Sequence, residues 1–360
     1  MHLISPKHET QKSDWMPEVL GNYEIDSLLG RGGMGDIYKA TQKHLNRVVA
    51  LKVLSPQLSR NDEFSQRFEI EAKAISLLQH QNIVSIYDYG EEHGLKFFAM
   101  QYIEGEDLGK RIERKKQISI SDVIDYSKQI CRGLRYAHSQ NVVHRDIKPQ
   151  NVLLNKSNIC RLSDFGIAKL FEQKNITMTG MAVGTPEYMS PEQAQGAEVD
   201  FQTDIYSLGV LIYEMLTKRP PFTGKNPVSI AYKQVHEYPV PPSAHRKDTP
   251  KRLELIVLKA LKKNKKERYR SIEEMLQDLD TVEIEQQPSN DTTISFAIQK
   301  KDKQTKIQDK RITDRRSGDR RQVNRREDGD WAQMLKNQAL SLFLFVVLSI
   351  LFLLHLIGHP

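Results

Sequence analysis

The stretch HRDIKPQN sets Asp146, Lys148 and Asn151 within six positions, in a loop stiffened by Pro149. Further on, SDFG supplies Asp164. Two carboxylates and a side-chain amide that converge offer the oxygen ligands a hard cation such as Mg²⁺ prefers. Upstream, VVALKVL places Lys52 inside a strand-like run. A lysine in a strand is usually just a solvated charge. Beside a phosphate chain it would neutralise the charge of a phosphoryl group in transfer. These residue types therefore point to metal-assisted phosphate chemistry, provided the chain brings them together.

The segment LLGRGGMGDIYKA holds Gly30, Gly32 and Gly35 in the spacing G-x-G-x-x-G. A dinucleotide site has the same glycines, but it follows them with a helix. Here the sequence returns to a strand pattern, DIYKA, so the glycines belong at a hairpin tip. Such a tip can fold over a phosphate chain because glycine puts no side chain in the way. An ordinary glycine turn has the same composition, and the glycines alone do not separate the two.

Taken together and in order, these segments resemble the protein kinase family over about residues 21–284. The branch they look most like is the bacterial eukaryotic-like serine/threonine kinases. GRGGMG is similar to the family's nucleotide loop, with Ile37 where valine is usual. VALK is similar to V-A-I-K, which implies that Lys52 contacts the α- and β-phosphates. The resemblance makes Glu71, in the next helix, the partner of that lysine, with Glu69 as second choice. It makes Asp146 the base that accepts the substrate hydroxyl proton, with Lys148 beside it, and Asn151 and Asp164 the metal ligands. It also places Ala50, Gln101, Ile103 and Asp107 around the nucleotide, with Met100 behind the adenine. Gln101 stands where glutamate is common, and Asp107 would face the ribose. GTPEYMSPE resembles the segment ending in A-P-E; Glu192 there would pair with Arg268, and Asp204 would brace the catalytic loop from below. Lys148 and Thr185 resemble the serine/threonine branch. Arg145 would await a phosphate on Thr177 or Thr179. ATP with Mg²⁺, or Mn²⁺ in its place, and protein substrates are what this family implies.

The elements that must position these residues read as α+β in two lobes. YEIDSLLG, GDIYKATQ and RVVALKVL are strand-like; DEFSQRFEIEAKAISLLQH has helical spacing at Phe64, Phe68, Ala72, Ile75 and Leu78. IVSIYDYGEEHGLKFFAMQYI returns to strands, and after Gly105 the pattern turns largely helical. The expected layout is a flexible leader at 1–20, a β-rich lobe at 21–103 and a helical lobe at 104–284.

Charge and hydropathy describe the rest. The net charge of +7 is concentrated in residues 300–336, which hold 13 basic and 7 acidic side chains. The body of the chain is nearly neutral, which argues against a nucleic-acid partner. Two cysteines, Cys131 and Cys160, provide no disulfide framework. Residues 285–337 are charged, with few large apolar side chains, and read as a disordered basic linker. Residues 338–357 are then almost entirely Leu, Ile, Phe and Val from Leu340 onward. Eighteen helical residues span about 27 Å, close to a bilayer's hydrocarbon core, and their insertion is favourable by about 5 kcal/mol. Basic residues precede the segment and only GHP follows it. The expected topology is a single-pass anchor in a bacterial plasma membrane, in contact with lipid, with the folded part in the cytoplasm and no sensor domain beyond. Anchoring concentrates copies in two dimensions, so transient homodimers are expected.

Two other readings use the same motifs. A membrane-anchored pseudokinase scaffold would bind nucleotide and partners without transfer, but Lys52, Asp146, Asn151 and Asp164 are all present. A small-molecule kinase would not need the full segment GTPEYMSPE.

Overall fold

The computed structural model describes residues 16–32, 35–165 and 186–283, apart from the side chains of Glu63, Phe64, Arg67 and Glu71. The chain divides into two units, 1–289 and 290–360, and every described residue belongs to the first.

A six-stranded antiparallel sheet is built from β1 (Val19–Leu20), β2 (Tyr23–Arg31), β3 (Gly35–Gln42), β4 (Arg47–Leu54), β5 (Ile86–Glu92) and β6 (Leu95–Gln101), in the order β1-β2-β3-β4-β6-β5. Strand β4 shows why it forms. Its residues, RVVALKVL, are rich in β-branched side chains, and successive side chains point to opposite faces. Val49, Leu51 and Val53 join a buried cluster with Tyr23, Tyr38 and Phe97. Ala50 and Leu54 join another with Phe98, Met100 and two residues of α2 (Asp62–Ser76), Phe68 and Ala72. Lys52 shares the parity of Ala50 and Leu54, so it enters the face that α2 covers. A short helix, α1 (Pro56–Ser59), links β4 to α2.

Two short strand groups escape the sequence pattern. The stretch 1–20 was expected as a leader, yet Val19 and Leu20 pair with β2, Leu20 is fully buried and Met16 nearly so. A two-residue strand carries no periodicity from which to read it. Beyond Gly105 the chain also makes a three-stranded sheet, β7 (Gly105–Asp107), β8 (Val152–Asn155) and β9 (Cys160–Leu162). Its strands have three or four residues each, again too few for a pattern.

The second lobe is otherwise helical: α3 (Leu108–Arg114), α4 (Ile120–Ser139), α5 (Pro191–Ala194), α6 (Phe201–Thr217), α7 (Pro227–His236), α8 (Lys251–Ala260) and α9 (Ile272–Asp280). Helix α6 is the axis of the lobe. Of its 17 residues, 13 are buried, so it is packed on all sides rather than along one stripe. The Asp200 side chain caps its start by accepting from Gln202 N, and Lys218 ends it in the left-handed region at φ 62°. Each fully buried Leu, Ile or Val side chain here contributes about 1.5–3 kcal/mol. Cys131 and Cys160 lie in this core as free thiols, and burial pushes both thiol pKa values up. Among the described residues, no helix is long and apolar enough to cross a membrane.

Candidate active site

The site is assembled on a hairpin of the small sheet. Asn151 closes a 3₁₀ turn (Pro149–Asn151) just before β8, and Asp164 follows β9 by two residues. Val152 pairs with Leu162, and the Ser163 N–H donates to the Asn151 carbonyl at 2.9 Å. The antiparallel register therefore brings together two segments that are 13 positions apart in sequence.

Asp146 sits in the loop leading into that turn. Lys148 Nζ donates to its Oδ2 at 2.8 Å. Asn151 Nδ2 donates to the same Oδ2 at 2.9 Å and to the Asp146 carbonyl at 2.8 Å. With its nitrogen committed to Asp146, the Asn151 amide turns its oxygen away from that carboxylate. Asp146, Lys148 and Asn151 are thus one hydrogen-bonded group.

Beneath the loop lies Asp204, fully buried near the start of α6. Its carboxylate accepts from the His144 N–H and the Arg145 N–H, each at 2.8 Å, and meets His138 Nε2 at 2.8 Å. Burial alone would raise the Asp204 carboxyl, but the His138 hydrogen bond, the nearby imidazoles and the loop amide hold it below its ordinary value. His144 ties the loop to the other segment. Its Nδ1 accepts from the Asp146 N–H at 3.3 Å, and its Nε2 lies 3.0 Å from the Ser163 carbonyl. Those partners require a neutral ring protonated on Nε2, and burial lowers its pKa accordingly. The ring packs on Phe165 with centroids 4.3 Å apart. Arg145 and Asp164 take φ of 65° and 53°, conformations that non-glycine residues seldom adopt.

The roof comes from the six-stranded sheet. Lys52 Nζ lies 2.8 Å from Asp164 Oδ1 and 5.5 Å from the centre of the Phe98 ring. Gly30 pairs with Ile37, and Ile37 with Lys52, so the glycine hairpin lies beside the lysine's strand in the same sheet. The glycines do different things. A Cβ on Gly35 would come within 2.0 Å of the Val53 carbonyl oxygen, so only glycine permits that strand pairing. A Cβ on Gly30 would meet nothing within 4 Å.

The floor is locked by Glu192 and Arg268. Arg268 Nη1 and Nη2 donate to the two Glu192 oxygens at 2.7 Å each, and both side chains are buried. Thr203 Oγ1 adds a bond to Glu192 Oε1 at 2.8 Å. Burial would raise the Glu192 carboxyl, yet the Arg268 guanidinium holds it below its ordinary value. From the same helix, α5, Gln193 Nε2 donates to the Arg145 carbonyl at 3.0 Å. Residues 23–279 match the family model of the protein kinase domain.

The chain belongs to the protein kinase domain family. Similar curated proteins include a probable serine/threonine-protein kinase of Clostridium acetobutylicum, 41% identical over 265 residues that make 73% of this chain and 40% of that one. The serine/threonine-protein kinase PknB of Mycobacterium tuberculosis is 40% identical over 263 residues, 71% of this chain and 42% of that one. The chain therefore spans about two fifths of the length of these curated relatives. Among solved structures, the PknI kinase domain of Mycobacterium tuberculosis aligns with a TM-score of 0.58 at 28% identity, over 73% of this chain and 96% of that chain.

Other residues picked out from the kinase resemblance are distributed as follows. Ala50 lies opposite Met100, and Gln101 opposite Val49, where β4 meets β6. Ile103 packs partly buried against the Phe98 and Met100 cluster. Asp107 caps α3, accepting from the Lys110 N–H at 2.9 Å. Glu71 lies on α2, but its side chain is outside the described residues, as are Thr177, Thr179 and Thr185. Sequence reasoning passed over His138 and His144. His144 stands next to the motif arginine and could have been suspected; His138 meets Asp204 only because α4 and α6 cross.

Proposed function

We propose that this protein is a serine/threonine protein kinase that moves the γ-phosphoryl of ATP to Ser or Thr hydroxyls of polypeptides. The observation that carries the reading is the convergence of Lys52 and Asp164 over the Asp146–Lys148–Asn151 group. Asp146 would orient the incoming hydroxyl and hold its proton on the carboxylate. Lys148, at 2.8 Å, would hold that carboxylate in place and put positive charge where the phosphoryl group passes. Lys52 would bind the α- and β-phosphates beneath the glycine hairpin, with Glu71 as its second partner. Ile37, Ala50, Gln101, Ile103 and Asp107 would enclose the nucleoside.

The donor set fits a hard divalent cation, Mg²⁺ or Mn²⁺. Asp164 offers a carboxylate, and Asn151 offers the amide oxygen left over from Asp146. Among the described residues, no cluster of three or more His, Cys, Asp or Glu could hold a metal by itself. Mg²⁺ is usually held by one or two carboxylates together with substrate phosphates, which is the arrangement these two residues suit. When bound, the cation supplies charge neutralisation on the phosphate oxygens.

Arg145 supports switching by phosphorylation. Among the described residues its Nε is buried without a hydrogen-bond partner, and burial lowers the guanidinium's pKa. A phosphate on Thr177 or Thr179 would supply the missing acceptor. Residues 338–357 would anchor the enzyme in the bacterial plasma membrane, with the basic stretch 285–337 as a tether reaching roughly 40 Å. Crowding in that plane would favour transient homodimers in which one copy phosphorylates another.

The deciding experiment is transfer of labelled phosphate to a histone, with Asp146→Asn as control. Transfer by the wild type and its loss in the variant are expected; an inactive wild type overturns the reading. Mass spectrometry should find phosphate on Thr177 or Thr179. Deleting 338–357 should move the protein from the membrane pellet to the supernatant.

A further inference from the structure

A connected set of polar groups lies behind the site and is used by none of the chemistry above. Gln234 on α7 is fully buried. Its Nε2 donates to the Glu187 carbonyl at 2.6 Å and to the Pro186 carbonyl at 3.2 Å. Its Oε1 accepts from the Tyr206 hydroxyl at 2.6 Å. Tyr206, on α6, accepts in turn from Lys263 Nζ at 2.9 Å, and the same ammonium donates to the Gln234 carbonyl at 2.7 Å. Donor order along this chain is forced. A carbonyl only accepts, so the amide nitrogen must face both carbonyls, the amide oxygen must accept from the tyrosine, and the tyrosine oxygen is left to accept from the lysine.

Pro186 and Glu187 begin the 3₁₀ turn Pro186–Tyr188. That turn runs on into Ser190, Glu192 and Gln193, and Gln193 holds the backbone of the Asp146 loop through the Arg145 carbonyl. The Tyr188 carbonyl is held from α6 as well, by Ser207 Oγ at 2.8 Å. A short turn with its carbonyls gripped from behind presents its other side in a defined position.

We propose that Gln234 is a positioning residue for the polypeptide substrate. It fixes the Pro186–Glu187 backbone, and Tyr206 and Lys263 brace it in the orientation that allows this. The inference rests on the kinase reading, in which the resemblance implies that the acceptor polypeptide docks on GTPEYMSPE, the segment that contains this turn. Only a planar group with both a donor end and an acceptor end satisfies the site. Leucine would leave the Glu187 carbonyl and the Tyr206 hydroxyl proton without partners in a dry environment, and the Pro186 carbonyl with the Met189 N–H alone. Glutamate would set oxygens against the two carbonyls. Histidine keeps one donor and one acceptor.

The test uses the full-length chain and separate titrations of ATP and histone. Gln234→Leu is expected to raise the KM for histone roughly tenfold, with the KM for ATP unchanged and kcat altered less. Gln234→His should recover most of the histone KM. Tyr206→Phe, which removes a single hydroxyl, should move the histone KM in the same direction by a smaller factor. It carries the test if Gln234→Leu does not fold. A histone KM within twofold of wild type in folded Gln234→Leu or Tyr206→Phe overturns the inference while leaving the kinase reading intact. A parallel rise in the KM for ATP overturns it too. An inactive wild type overturns the kinase reading itself.

Discussion

The Lys52 ammonium and the Asp164 carboxylate meet at 2.8 Å although 112 residues separate them. One belongs to the six-stranded sheet and the other to the loop leaving β9, so the contact joins the two lobes across the cleft. The pair is only partly shielded, with Lys52 and Asp164 side chains 11% and 30% exposed, so it adds little to stability. Under the proposed function its value lies in placing positive charge beside the carboxylate that would hold the metal. Lys52→Met should lower phosphate transfer at least about 100-fold, while the melting temperature moves by less than about 3 °C. Steady-state kinetics and a thermal melt on the same preparation check both halves.

Asp204 tells the opposite story, because it is wholly buried and supports two backbone amides and His138. Asp204→Asn keeps an acceptor for one amide and turns an NH₂ toward another donor. The expected cost is about 1–3 kcal/mol, a fall in melting temperature on the order of 5 °C, with activity lost as the Asp146 loop loosens. The folded carboxyl lies below its ordinary value, so its stabilisation is complete above the unfolded carboxylate range and fades as pH falls through the folded pKa. The gap in melting temperature between wild type and variant should therefore narrow in acid.

Glu192 and Arg268 form a buried bidentate pair, and removing one partner strands the other's charge. Glu192→Ala and Arg268→Met should each cost about 3–5 kcal/mol. The double variant should cost clearly less than the two together. A double-mutant cycle by urea unfolding measures the coupling, and strict additivity would contradict the pairing.

Lys263 predicts a pH slope of the other kind. Burial pulls its pKa down to about 7; Arg268 pushes in the same direction and Glu237 opposes it. The unfolded lysine titrates near 10.4. Between those values the unfolded chain holds the extra proton, so stability from this group is complete above the unfolded pKa and is lost as pH falls toward 7. Melting temperatures of wild type relative to Lys263→Met should rise across this window, and a flat difference would remove the claim.

The glycine hairpin gives a contrast within one motif. Gly35→Ala must displace the Val53 carbonyl, 2.0 Å from the new methyl, and should destabilise the sheet by about 2 kcal/mol or more. Gly30→Ala has open space and should stay within about 0.5 kcal/mol. Any loss of activity in Gly30→Ala then reports on the nucleotide rather than on folding.

Legibility followed the length of the local signal. Strands β2 to β4 were readable because eight or nine successive residues, rich in β-branched and aromatic side chains, repeat the same choice, and the return to strand after the glycines separated a hairpin from a helix-capped turn. The residues around Asp146 were readable because they crowd into one short loop. The strands β1 and β7 to β9 were not readable, since two to four residues cannot display a period. Nor was the Gln234–Tyr206–Lys263 relay. Each member lies in a different segment of the helical lobe, each would pass for a surface polar residue, and only the crossing of the helices makes them neighbours.

One architectural detail has a practical use. Asn151 and Asp164 leave the same end of the β8–β9 pair, so their spacing is set by the pairing of Val152 with Leu162. The connector at the other end, residues 156–159, is exposed throughout. Its length has no bearing on how far apart those two side chains sit. That connector is a port into which a reporter peptide could be spliced without disturbing the Val152–Leu162 pairing.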